Sequence, residues 1–161
     1  MRIANYIQDS IVDGRGLRFT LFTQGCPHRC EGCHNPQTHD FDGGREMSTD
    51  EIVAIILKNP LTDGVTFSGG EPFAQARDCA AIARAVREKG LNIWAYSGYT
   101  FEQLLAGSDD MRELLSLCDV LVDGPFILAQ RSLSLKWRGS ANQRVLDVPK
   151  SLAAGEAVLL D

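Results

Sequence analysis

The chain has 161 residues, 44% hydrophobic and 23% charged, which is the usage of an ordinary globular domain and excludes general disorder. Folding at this length buries roughly 70% of the unfolded surface, so neither disulfide staples nor a partner is needed to build a core. Sixteen Lys and Arg against 21 Asp and Glu leave a net charge of -5, which argues against a nucleic-acid binder that works by neutralising phosphates.

Met1 to Ser10 mixes Arg2, Asn5, Gln8 and Asp9 into its apolar residues and has no apolar core of signal-peptide length. No window reaches the roughly 18 apolar residues of a membrane-spanning helix. A cytoplasmic protein with no membrane partner is the expectation. Of the five cysteines, Cys26, Cys30 and Cys33 fall within eight residues, whereas Cys79 and Cys118 stand alone. An odd, clustered set reads as metal binding in a reducing compartment, because a disulfide framework is even and dispersed.

A strand is expected at Leu17 to Thr23, leading directly into the cysteine loop, with irregular chain as far as Gly44. Ser48 and Glu51 form a capping box, and Ile52, Ile55 and Ile56 recur at helical spacing, so a helix is expected over 49–58, ended by Asn59-Pro60. Val65 to Ser68 is a short strand opening onto Gly69-Gly70-Glu71-Pro72, and Pro72 suits the first turn of a helix that runs to Lys89. Ile82, Ala83 and Val86 are its buried stripe and Gly90 its stop. Then come a strand at Asn92 to Tyr96, a second capping box at Thr100 and Gln103, and a short helix marked by Met111, Leu114 and Leu115. Val120 to Val122 is the last expected strand.

This alternation predicts right-handed crossovers, a mostly parallel sheet, and a ligand site beyond the carboxyl ends of the strands. Too few strand-helix units are present for a closed eight-unit barrel, which takes about 250 residues. The expected fold is therefore α/β, an open partial (βα) barrel of mostly parallel strands, as one domain over residues 1–161.

The spacing Cys26-x3-Cys30-x2-Cys33 brings three thiolates to one centre. Iron-sulfur clusters are usually held by four cysteines, so three leave one iron of a 4Fe-4S cube open to a substrate or cofactor. A structural zinc site with His28, His34 or His39 as fourth ligand uses similar loops and is the alternative on spacing alone. The loop's place at a strand's carboxyl end favours the catalytic reading. Gly69 and Gly70 allow close backbone approach to a ligand, and Glu71 adds an anionic acceptor for an ammonium group. Without the cysteines the same residues read as a plain strand-to-helix turn. Cys79 and Cys118 read as small buried hydrophobes.

With the cysteine loop after a first strand and Gly69-Gly70-Glu71-Pro72 one strand later, the sequence resembles the radical S-adenosylmethionine superfamily. The resemblance implies that Cys26, Cys30 and Cys33 bind a 4Fe-4S cluster whose open iron chelates the methionine end of S-adenosylmethionine. It places Gly69, Gly70 and Glu71 at the cofactor's amino group, with Gly32, Cys33 and His34 beside it. Gly32 stands where the superfamily often has an aromatic residue, so that contact falls to the backbone. Ile11 to Phe19 resembles the segment before the cluster loop in activases of glycyl-radical enzymes, with Arg15 where those commonly have Pro.

Trp137 to Val145, together with Asp123-Gly124-Pro125-Phe126 and Tyr96-Ser97-Gly98-Tyr99, is similar to the activases of anaerobic ribonucleotide reductases. On that resemblance a low-potential donor such as flavodoxin reduces the cluster, the carbon-sulfur bond of the sulfonium breaks, and a 5'-deoxyadenosyl radical takes a hydrogen atom from a glycine. The polypeptide that supplies this glycine would be the anaerobic ribonucleoside-triphosphate reductase. Alternatives are an activase of a formate-lyase-like enzyme, a small-molecule radical enzyme, and a zinc-dependent interaction module. Read from its residues alone, Trp137 to Arg144 is either an exposed turn entering an edge strand or a partner-binding segment, since Trp and Arg are favoured interface anchors.

Overall fold

Period-two alternation along the inner strands produces one sheet with two unlike faces. The computed structural model describes residues 1–161 and orders them as β1 (Arg2–Ser10), β2 (Arg18–Thr23), β3 (Arg45–Glu46), α1 (Thr49–Leu57), β4 (Gly64–Gly69), α2 (Ala76–Arg87), β5 (Asn92–Tyr96), α3 (Phe101–Leu105), α4 (Asp109–Leu117), β6 (Val120–Asp123), β7 (Arg144–Asp147) and α5 (Val148–Ala154). The seven strands lie in the order β3-β1-β2-β4-β5-β6-β7. The central four, β2, β4, β5 and β6, are parallel. Both margins are antiparallel: β1 on β2, β3 on β1, and β7 on β6. The architecture is thus a mixed α/β sheet with a parallel centre.

Register lines up the core. Leu21 lies beside Phe67, Phe67 beside Ala95, Ala95 beside Leu121, and Leu121 beside Leu146, so one buried apolar row crosses five strands. Phe19, Val65 and Ile93 form a second row on the same face. Against these rows pack Ile52 and Ile56 of α1, Cys79, Ile82, Ala83 and Val86 of α2, and Phe101, Leu104, Leu114 and Leu115 of α3 and α4. Each fully buried Leu, Ile or Phe contributes roughly 1.5–3 kcal/mol, so the two rows dominate the stability of the sheet. The opposite face carries Thr20, Thr66 and Trp94 in register, a mixed polar surface suited to a site.

Helix starts follow the expected chemistry with two differences. Thr100 and Gln103 make both halves of their capping box. Ser48 accepts from the Glu51 N–H but receives no return bond, so only half of that box forms. Pro72 opens a 3-10 turn, Pro72–Gln75, and α2 proper begins at Ala76. The Glu71 carboxylate takes the Phe73 N–H and fixes that tighter turn. Gly90 adopts φ 86, which lets the Leu91 N–H return to the Val86 carbonyl at 3.2 Å and closes the helix end.

β1 is a strand that the pattern did not suggest: of its nine residues only Ile3 and Ser10 are buried. After β6 the chain forms a long strap, residues 124–143, which crosses the mixed face and re-enters the sheet as the edge strand β7. Trp137, held at φ 64, packs its ring edgewise on Trp94 at 4.9 Å, and Arg138 folds back to the carbonyls of Ala141 and Gln143. Both side chains read as possible partner anchors therefore serve the strap's own fold. No helix is long and apolar enough to cross a membrane.

Candidate metal centre

The cysteine loop is closed at its root by backbone bonds. The Gly25 N–H reaches the Thr38 carbonyl at 2.7 Å and the Cys26 N–H reaches His39 at 3.2 Å. The Gln24 side-chain amide ties down the carbonyls of Gln37 and Asp40 at 3.1 and 2.6 Å. Within the loop, Arg29 and Gly32 take left-handed conformations at φ 51 and 74, and the Cys33 N–H bonds the Cys30 carbonyl. These turns leave Cys26, Cys30 and Cys33 half-buried, free of disulfides, and on the wall of one cavity of about 470 Å³.

Gly69 and Gly70 line the same cavity. Gly69 has φ 98, and a Cβ there would lie 2.5 Å from the Thr23 nitrogen; one on Gly70 would lie 2.4 Å from the Gly25 carbonyl oxygen. The two glycines are therefore required by contact with the root of the cysteine loop itself. Bonds from the Gly70 N–H to Thr23 and from the Glu71 N–H to Gly25, both 2.9 Å, complete that junction.

Glu71 is completely buried and does not line the cavity. Its Oε1 lies 2.6 Å from His28 Nε2 and accepts from Ser97 Oγ at 2.9 Å and the Gly98 N–H at 2.8 Å. Its Oε2 accepts from Phe73 N–H and Ser97 Oγ, both at 3.0 Å. The His28 ring stands edge-on to Tyr99, 4.5 Å between centroids.

The structure brings Cys26, Cys30, Cys33, His34, Gly69 and Gly70 to one cavity. Gly32 faces away: its alpha carbon packs against Leu128, where a Cβ would meet Cδ1 at 2.7 Å. The sequence pointed to His28 only as a candidate zinc ligand and to neither Ser97 nor Gly98, although Tyr96-Ser97-Gly98-Tyr99 stood out as a post-strand segment. Asp13, Tyr96 and Trp137 also line the cavity. Their convergence depends on the strap and on the turn after β1. Cys79 and Cys118 are buried on the helical side, far up from their usual thiol range because of burial.

The donor set fits an iron-sulfur cluster. Three free thiols line one cavity, and soft thiolates are the donors that iron-sulfur clusters select. Burial pushes the Cys26 thiol upward against the opposing pull of the His28 backbone N–H, so metal binding there must displace a proton.

Comparison with known proteins agrees with this chemistry. A family model described as a 4Fe-4S single cluster domain matches residues 12–146. The anaerobic ribonucleoside-triphosphate reductase-activating protein of Vibrio cholerae is 37% identical over 151 residues, covering 89% of this chain and 96% of that protein. The protein of the same name from Escherichia coli K12 is 35% identical over 155 residues, covering 90% and 97%. That of bacteriophage T4 is 35% identical over 144 residues, covering 83% and 86%. Among solved structures, QueE from Escherichia coli superposes with a TM-score of 0.51 at 18% identity over 62% of this chain and 53% of that one, a likeness of fold alone. With identity of this order running across nearly the full length of such relatives, the chain belongs to the family of anaerobic ribonucleoside-triphosphate reductase-activating proteins.

Proposed function

We propose that the chain is a radical S-adenosylmethionine activase that installs a glycyl radical on an anaerobic ribonucleoside-triphosphate reductase. Cys26, Cys30 and Cys33 would hold the 4Fe-4S cluster, and Gly69 and Gly70, with the backbone of Cys33 and His34, would hold the methionine end of S-adenosylmethionine. The observation that carries this reading is the meeting of three free thiols and the Gly69-Gly70 turn in one cavity. That cavity lies at the carboxyl ends of β2, β4 and β5, where ligands of parallel sheets bind.

Once bound, the cluster and cofactor supply one-electron cleavage of a sulfonium and abstraction of a hydrogen atom, chemistry the polypeptide cannot perform itself. The chain's own tasks are binding, orientation and exclusion of water. Gly69 and Gly70 present backbone without side-chain obstruction. Trp137, Phe126 and Leu135 of the strap add apolar surface to the cavity wall. We read the sheet as an open partial barrel whose uncovered side admits a glycine-bearing segment of a large protein. A cytoplasmic location and a flavodoxin-like donor of low potential belong to the same proposal.

Electron paramagnetic resonance on the reduced, reconstituted protein mixed anaerobically with S-adenosylmethionine and the reductase tests it. The expected result is a glycyl-radical doublet that requires every component. Formation of 5'-deoxyadenosine without a doublet would move the target to another glycyl-radical enzyme or a small molecule. Stoichiometric zinc with no iron or sulfide would overturn the proposal.

A further inference from the structure

Glu71 is a buried carboxyl group with neither Lys nor Arg against it; its side-chain partners are His28 and Ser97. An ionised carboxylate out of water is strongly disfavoured unless donors surround it. Here four groups do so: His28 Nε2 at 2.6 Å, Ser97 Oγ, and the N–H groups of Gly98 and Phe73. The oxygens are occupied within the protein, and the carboxylate lies behind the cavity wall.

His28 is equally fixed. It lies between Cys26 and Cys30, its side chain is 16% exposed, and its ring is held edge-on by Tyr99. A Cβ on Gly98 would sit 2.4 Å from ring atom Cδ2, so the absence of a side chain at 98 is what gives the imidazole its place. One bonded chain therefore joins the cysteine loop after β2, the glycine turn after β4 and the turn after β5. Backbone bonds at Thr23 and Gly25 secure the root of the loop, and the His28 contact secures its outer arm.

We infer that the His28–Glu71 pair is a positioning strut that sets the distance between the cysteine loop and the Gly69-Gly70 wall, with Glu71 acting through His28 and not on the bound ligand. The inference rests on the proposed function, because a cofactor that touches both the cluster and the glycine turn needs the two walls at one separation. Loading of the cluster depends only on three thiols of a single loop and is independent of that separation. Loss of the strut therefore weakens S-adenosylmethionine binding and spares the cluster.

The experiment compares reconstituted wild type with His28→Ala, Glu71→Gln, the double variant and His28→Gln. The readouts are iron and sulfide per chain, the change in the reduced cluster's paramagnetic spectrum on titration with S-adenosylmethionine, and KM against kcat for 5'-deoxyadenosine formation. We expect wild-type iron content throughout, a cofactor affinity and KM weakened roughly 10- to 100-fold in His28→Ala with kcat nearly preserved, and recovery in His28→Gln, whose amide reaches the same oxygen. The double variant should be no worse than the worse single one, since both substitutions perturb the same contact.

Weakened affinity in Glu71→Gln but not in His28→Ala would make Glu71 a direct acceptor of the ligand and overturn the strut. So would loss of iron from His28→Ala with unchanged affinity in the chains that retain a cluster. If wild type itself assembles no cluster, or its spectrum ignores S-adenosylmethionine, the proposed function fails and the strut fails with it.

Discussion

A thiol's surroundings decide whether it can be a ligand, and the five cysteines divide cleanly. Cys26, Cys30 and Cys33 line an open cavity on the loop after β2, whereas Cys79 is sealed between α2 and the sheet, where burial holds its thiol protonated. Replacing any of the three loop cysteines by Ala should reduce bound iron and sulfide to a small fraction of wild type. Cys79→Ala should keep both at wild-type levels while costing on the order of 1 kcal/mol through the small void it leaves. Iron and sulfide analysis alongside thermal melting separates the two effects. Loop variants that retain full iron would remove those residues from the ligand set. The spacing of the loop cysteines was visible in the sequence because ligation is a local demand on one loop. The His28–Glu71 contact was not: it spans 43 residues and exists only because β2 and β4 pair in one particular register.

Among the elements, the turn after β1 is anchored by an unusual residue. Arg18 is fully buried and makes no ion pair; its guanidinium donates to Thr66 Oγ1 at 2.6 Å, the Arg15 carbonyl at 2.8 Å and the Val65 carbonyl at 3.0 Å. Desolvation lowers it to about 10, still charged at neutral pH. The fork links β2, β4 and the 11–17 turn, and its plane lies over the Trp94 ring. Arg18→Ala would strand several buried acceptors and open a cavity, so a loss of about 3–5 kcal/mol is expected. Lys should rescue little, because a point charge cannot reproduce the fork. Denaturant unfolding of the three proteins measures this. A loss below about 1 kcal/mol would mean that the fork adds little beyond its packing.

At the other margin of the sheet, Arg144 of β7 binds Asp123 of β6 and, through two bonds of 3.1 and 2.8 Å, Glu102 of α3. The Arg144 hydrogen bonds pull the Glu102 carboxyl below its usual range. A depressed folded-state value means the contribution is complete above the unfolded value of about 4.3 and is lost as pH falls through the folded one. Glu102 is 57% exposed, so its share is under about 1 kcal/mol. The stability gap between wild type and Glu102→Gln should close between about pH 5 and pH 3, as followed by melting temperature. A gap that persists at the acid end would place the cause in packing.

Elements with their own periodicity or caps were legible, as at Asn92–Tyr96 and the Thr100 box. β1 was not, because seven of its nine residues touch water and its pairing with β2 comes from tertiary register. The strap has no period either. Its path follows from the docking of Trp137 on Trp94, two residues whose contact no local pattern announces.

On the scale of the whole molecule, the cavity has two lips that face outward. The turn after β1 forms one and the strap forms the other, and Val12 and Leu135 bring them to the cavity wall. The two most exposed large hydrophobic side chains of the chain sit on these segments: Leu133 at 88% on the strap and Ile11 at 75% on the turn after β1. Between Phe126 and Gln143 there is no carboxylate, and Arg131, Lys136 and Arg138 enter no ion pair, although the chain as a whole is acidic. Exposed apolar anchors on a strap that carries cations and no carboxylate suit a protein surface that brings its own apolar groups and carboxylates. If the reductase docks there, Leu133→Glu and Ile11→Glu should cut the yield of glycyl radical roughly tenfold or more at limiting partner, the effect of losing an interface anchor. Neither residue lines the cavity, so iron content and 5'-deoxyadenosine formation without the reductase should stay at wild-type levels. Spin counting on the reductase and product assay on the activase alone give the two numbers. An undiminished radical yield in both variants would direct the partner to another face of the sheet.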